Sequence, residues 1–467
     1  MPFFKIIIGL LICLLIKLEI TEVTAITLVG IFIFIYSFLH FFSSLGKTIP
    51  IKTIMVVISS LQWIIGPFLS YHIFPNSPNY YMIIDESRYM SYVVFGEIAF
   101  VAGLYLFSKD VIGALYTKIK KFENNSTIFK RGLFLLVLGS IMSVILPLVP
   151  GSLRFFFFLI SYSKYIGAFY ILSSKAPFRW WYLAFALSFE FINSFSNAMF
   201  HDLILWMVYI YMMYAYLTKI STVNKVISLM AMALFIIIVQ TIKADYREVV
   251  WQNKIQDNSQ KIALATQLAT QELDENSPNW ETQSKEQNII DRINQGWIIA
   301  RIMYMVPHYE PFANGESIKR GLEAAVLPRF LAPNKMKTGG KEYFPRFTGI
   351  ILSEKTSMNL SIIGEAYANF GSIGGIIFMF LLGLFYNLTV KFVIRKASKF
   401  PELILWIPLI YFYTIRAESD FTTSINHIVK ASITTYLLLM VINKLIPNQE
   451  TPKNNLQNSQ DNIFYEQ

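Results

Sequence analysis

LPRFLAPNK at residues 327–335 and SIIGEAYANFGSIGG at residues 361–375 bracket a basic strip punctuated by glycine and proline, after which the chain turns abruptly apolar. Lys341, Arg346 and Lys355 lie between the two runs, and Glu365, Tyr367 and Asn369 stand where a helix enters the next apolar segment. Almost everything on either side is greasy enough to sit in lipid. The strip therefore reads as the working face of a polytopic membrane protein.

Composition agrees. The 467 residues are 54% hydrophobic and only 15% charged, with a positive mean hydropathy, which is more apolar than a soluble globular chain of this size. The one cysteine, Cys13, excludes an intramolecular disulfide framework and a thiol-based zinc site, and within its apolar run it reads as a small packing residue. The net charge of +10 gathers between apolar segments and not along one polar face, a pattern of membrane topology and not of nucleic-acid binding.

A spanning helix takes about 20 mostly apolar residues. Twelve are predicted, at 3–19, 24–42, 51–74, 90–107, 132–149, 154–172, 179–198, 200–217, 225–243, 361–390, 401–416 and 421–444. The first has a basic start like a signal peptide, but no small-residue cleavage site follows. The expected fold is an all-α polytopic membrane protein: nine helices in 1–243, one large loop at 244–359, three helices in 360–446, and a polar, disordered tail at 447–467.

Lysine and arginine beside short loops mark the inner side of a membrane. Lys109, Lys118, Lys120, Lys121, Lys130 and Arg131 put the loop after the fourth span inside, and alternation brings Lys47, Lys175, Arg179, Lys219, Lys225 and Lys391 to that side too. Both termini are then cytoplasmic and the large loop is outside. From 248 to 288 that loop holds seven acids against three bases, whereas from 291 to 359 it holds ten bases against six acids. SQKIALATQLATQELDE reads as a helix, and IIDRINQGWIIARIMYMV as an interfacial helix with Ile289, Ile293, Trp297 and Ala300 on one face, lying flat or partly re-entrant.

No metalloprotease, P-loop or nucleophile-elbow motif is present, and no D-x-D that would hold a nucleotide sugar with metal. His201 and Asp202 are adjacent and read as interfacial polar residues, while His308 in VPHYEPF has the chemistry of a near-neutral base. Arginine offers a permanently charged fork of donors matched to phosphate oxygens. Arg247, Arg329, Arg346 and Arg416 on one outer face, with Lys335 beside Arg329, therefore point to an anionic ligand such as a lipid diphosphate. Lys164 and Glu190 lie near the middle of adjacent predicted spans and are expected to pair, with Glu97 a third charge at depth.

Four runs, LPRFLAPNK, GEAYANFG, KADYR at the end of the ninth span and RINQGW, together with the dozen spans and one large late loop, resemble the bacterial oligosaccharide repeat-unit polymerases, the Wzy or O-antigen polymerase family. The resemblance covers roughly 240–390 by motif and the rest by topology; Arg329 and Gly340 also share an arginine-to-glycine spacing found in some members. It implies a glycosyltransferase of the inner membrane, independent of metal and nucleotide sugar and without a cofactor. Such an enzyme transfers a growing glycan from undecaprenyl diphosphate to the next lipid-linked unit, in some cases with a chain-length regulator as partner. On that reading Arg247, Arg329, Lys335, Arg346, Arg416, Tyr367 and Asn369 hold the diphosphate and substrate, and Glu365, with His308 in reserve, takes the acceptor proton. A lipid-linked oligosaccharide flippase, which would use Lys164 and Glu190, and an O-antigen ligase are the alternatives.

Overall fold

The computed structural model describes residues 2–75, 77, 80–107, 112–151, 153–252, 257–273, 282–327, 336, 340–353 and 356–447. Arg329, Lys335 and the polar tail from 448 onward lie outside the described residues. Among those described there are helices, turns and one isolated bridge, Leu45 to Thr48, but no strand.

Seven helical segments are long and apolar enough to cross a membrane: Ala25–Ser44, Ile51–His72, Ser126–Leu148, Arg154–Ser173, Thr222–Lys243, Ile362–Ala397 and Phe421–Leu445. Local chemistry starts several of them. Thr24, Asn125, Ser221 and Asp420 each accept a backbone N–H of the following first turn, the role their short polar side chains fill at a helix N-cap. Pro2–Glu19, Glu86–Tyr105, Arg179–Asn197 and His201–Thr218 are also helices, close to their predicted bounds.

Two predicted spans differ in kind. The eleventh, 401–416, is not a continuous helix: a 3₁₀ segment Pro401–Trp406 leads into the four-residue helix Ile407–Ile410 and then turns. Pro401 and Pro408 remove backbone donors. The irregular stretch is nonetheless enclosed by protein, with Leu405, Trp406, Leu409, Tyr411 and Phe412 buried and the Tyr209 hydroxyl donating to the Tyr411 carbonyl at 2.5 Å, the condition under which non-helical backbone is tolerated at membrane depth. The tenth is broken at Gly371, whose φ of 68° and ψ of −166° separate a short first part from a long second part. A Cβ there would meet the Phe312 ring at 3.2 Å, so the break needs glycine for space as well as backbone.

Every residue from Ile362 to Asn369 is buried, whereas beyond the break Ile373, Ile377, Leu381, Leu388 and Phe392 are exposed along one side. The second part is the membrane-facing one. It packs against Glu86–Tyr105 with the two backbones in contact: a Cβ on Gly103 would come within 2.2 Å of the Phe380 carbonyl, and one on Gly383 within 2.2 Å of the Phe100 carbonyl.

In the 244–359 region the described helices are Asn258–Leu273, Thr282–Ile293, Gly296–Met305, Glu316–Val326 and Tyr343–Thr348. The predicted single helix through RINQGW is interrupted at Asn294, whose amide donates to Ser70 Oγ at 2.7 Å while Gln295 N–H donates to the Gln62 carbonyl. Trp297, Ile299 and Ala300 are buried inside the bundle, so this helix does not lie flat on a surface.

Candidate anion-binding site

The Thr222–Trp251 helix continues two turns past its apolar segment, and Lys243, Arg247 and Trp251, spaced by four, share one face. The Arg247 guanidinium stands 4.7 Å over the Trp251 ring and its Nε donates to the Ala198 carbonyl at 3.0 Å. Arg292, from Thr282–Ile293, is in electrostatic range of both cations, and Lys243 also senses Glu418. None of Lys243, Arg247 and Arg292 ion-pairs with a described carboxylate. Burial, and then the Arg292 charge, push the Arg247 guanidinium down to about 10, still charged at neutral pH.

A fourth cation, in the turn before Phe421–Leu445, is linked to Lys243 through Glu418. Arg416 Nη2 donates to Glu418 Oε1 at 3.0 Å, Nη1 lies 3.7 Å from Asp202 Oδ1, and the guanidinium covers the Tyr413 ring at 4.7 Å. Tyr162 donates to Asp202 Oδ2 at 3.0 Å. His201 Nδ1 is 3.3 Å from the same Glu418 oxygen, and its Nε2 is buried with no protein partner. Glu418 thus orients an imidazole whose other nitrogen is unused.

Burial opposes ionisation of Glu418, but His201, Arg416 and Lys243 outweigh it and pull the carboxyl down to about 2. A depressed carboxyl stabilises the fold above its unfolded value, and the gain is lost as pH falls from there through the folded value. The melting-temperature gap between wild type and Glu418→Gln is therefore expected to be constant above the ordinary carboxyl value of 4.5 and to shrink below it. A gap that already closes between neutral pH and 5.5 contradicts the ion pair.

Lys164 and Glu190 lie deeper and do not form the expected direct pair. Lys164 donates to Ser143 Oγ at 2.9 Å and the Ser161 carbonyl at 3.2 Å, and sits 4.8 Å over the Tyr165 ring, whose hydroxyl is 3.4 Å from Glu190 Oε2. Tyr165 stands between the two charges, and neither faces lipid, at 2% and 5% exposure. Glu97, also enclosed, accepts from Ser59 and Ser60 at 2.7 and 2.9 Å.

Of the predicted site residues, Arg247 and Arg416 stand at the two ends of the link through Lys243 and Glu418; the other described ones lie elsewhere. Arg346 is taken up by Glu310 at 2.5 Å and Glu316 at 2.8 Å, and its hydrogen bond is the largest influence lowering the Glu316 carboxyl. Glu365 accepts from Ser317 Oγ at 2.6 Å with one oxygen and from Phe421 N–H at 2.8 Å with the other. Asn369 donates to Ser317 Oγ at 2.8 Å and accepts from Gly315 N–H at 3.0 Å. Glu365 and Asn369 therefore tie three helices together. Tyr367 is buried edge-on against Tyr92, and His308 is exposed in a turn with Tyr309 as its ring neighbour.

Reasoning from the sequence read His201 as an interfacial polar residue, quoted Lys243 and Arg292 only within KADYR and RINQGW, and gave Glu418 no role. The four-residue spacing of Lys243 and Arg247 was a visible signal. The convergence of Arg292, His201 and Glu418 is tertiary and left none.

Helices of membrane-crossing length and composition around a half-buried polar cluster define a helical, membrane-type protein. Residues 55–448 match the family described as "Domain of unknown function (DUF8712)", and the chain belongs to that family. No curated protein and no solved structure matches it.

Proposed function

We propose that this protein is a membrane glycosyltransferase that polymerises oligosaccharide repeat units carried on undecaprenyl diphosphate at the outer face of the bacterial inner membrane. The observation that carries the reading is the cluster of Lys243, Arg247 and Arg292, none ion-paired with a described carboxylate, joined through Glu418 and His201 to Arg416. Like charges gathered in a half-buried site repel one another, and a diphosphate relieves that cost. In this reading the seven long apolar segments are joined by Pro2–Glu19, Glu86–Tyr105, Arg179–Asn197, His201–Thr218 and the broken 401–416 segment as twelve spans with both termini inside.

The acceptor hydroxyl attacks the anomeric carbon of the donor sugar as the bond from that carbon to the diphosphate oxygen breaks. Negative charge builds on the departing lipid diphosphate, where the cations act. The proton goes to His201 Nε2, held in orientation by Glu418. An arriving anion offsets the neighbouring cations and so favours proton uptake by the imidazole.

The test is to incubate the purified full-length chain with a synthetic lipid-linked repeat unit. A ladder of products is expected. Movement of the lipid across a vesicle membrane without lengthening supports the flippase reading, for which Lys164, Glu190 and Glu97 are the buried charges, and a single transfer to a different acceptor supports the ligase. Orientation has its own check: a reporter near Ser259 is expected outside and one near Asn124 inside, and finding both on one side defeats the twelve-span topology.

A further inference from the structure

At the end of the bundle opposite the candidate site, a cavity of about 300 Å³ is lined by Tyr116, Lys120, Glu123, Lys175, Arg179 and Lys219 among others. Its walls are the ends of Ile112–Lys120, Ser163–Ser173 and His201–Thr218 and the start of Arg179–Asn197. Lys175 pairs with Glu123 at 2.9 Å, and the Lys219 ammonium stands 4.1 Å over the Tyr116 ring.

Three helix C-termini meet there, each equivalent to roughly −0.5 charge, against roughly +0.5 from the N-terminus at Arg179, and with Glu123 they offset about 2 of the four positive charges, so that roughly 2 remains. The single negative charge of a phosphodiester offsets part of that surplus. Beside the cavity Phe178, Trp180 and Trp181 are exposed at 76%, 45% and 74%, the disposition of aromatic rings at the headgroup level of a bilayer. A phosphate bound in the cavity is thus level with lipid headgroups.

We propose that this cavity binds the phosphate of an anionic phospholipid headgroup, on the side that the basic loops mark as cytoplasmic. Basic pockets between spanning helices recognise such headgroups, each cation contributing roughly a fivefold gain in affinity. The site is separate from the outer cations, and its occupancy does not depend on their role.

The test uses the full-length protein in detergent and follows its melting temperature on titration with short-chain phosphatidylglycerol, short-chain phosphatidylcholine or inorganic phosphate. Phosphatidylglycerol is expected to stabilise wild type and the exposed Lys121→Gln control alike. Lys120→Gln and Arg179→Gln singly should weaken the apparent affinity roughly fivefold, and together roughly 30-fold. Lys120 is exposed and Arg179 half-buried, and the single variants keep the test decisive if the double one does not fold. Equal protection by inorganic phosphate, lost in the same variants, upholds phosphate recognition but assigns it to a free anion and overturns the lipid source. Undiminished phosphatidylglycerol binding by the variants, or equal stabilisation by phosphatidylcholine, overturns the proposal.

Discussion

Arg247→Ala is expected to slow glycan elongation by about 10²–10³, the usual cost of losing one preorganised donor to a developing charge. Arg247 suits the test because it holds the Ala198 carbonyl and the Trp251 ring and ion-pairs with no described carboxylate that its removal would strand. Arg416→Ala, by contrast, leaves Glu418 and Asp202 without their cation and confounds rate with folding. If the guanidinium acts on the leaving diphosphate, turnover falls far more than substrate retention, because only contacts stronger in the transition state accelerate the step. Arg247→Lys keeps a charge without the fork and should recover part of the rate. The measurement is the rate of ladder formation beside binding of the lipid-linked unit, and normal elongation by Arg247→Ala removes this residue from the mechanism.

Glu365→Ala is expected to cost stability before it costs chemistry. It orphans the Phe421 N–H and the Ser317 hydroxyl, about 1–3 kcal/mol for each buried group left unpaired. Glu365→Gln behaves differently. Its amide oxygen can accept from Phe421 N–H while its NH₂ donates to Ser317 Oγ, a hydroxyl with acceptor capacity to spare. The Ser317 proton loses its acceptor, one buried donor against two in Glu365→Ala, so a smaller drop in melting temperature and continued elongation are expected. The role read from the sequence, a carboxylate base, makes the opposite forecast for Glu365→Gln: a folded protein and no polymer. Thermal melts of both variants beside the ladder assay separate the two roles.

The apolar segments were legible because their signal is local: about 20 consecutive residues need no knowledge of neighbours. Continuity was not. The break at Gly371 sits in a run rich in apolar residues, and it takes the Phe312 ring to reveal it. The irregular 401–416 stretch carried Pro401 and Pro408 as visible warnings, but its burial among other segments was not readable. At the site, Arg247 and Arg416 were legible by residue type and position near span ends. Arg346 has the same chemistry and the same outer placement, yet Glu310 and Glu316 occupy it, since charge partners 30 or more positions away leave no local trace.

The turn at 416–421 has a consequence for the order in which the molecule is completed. Arg416 and Glu418 close the cation site, and Phe421 N–H closes the buried knot around Glu365, so both wait on a segment synthesised near the end of the chain. During membrane insertion the earlier helices arrive with Lys243, Arg247 and Arg292 already in place but with no imidazole-orienting carboxylate and no cap on Glu365. A nascent protein halted before this turn has Lys243, Arg247 and Arg292 but neither Glu418 beside His201 nor Phe421 N–H on Glu365. Completion of the Phe421–Leu445 helix is thus the last step in closing both clusters.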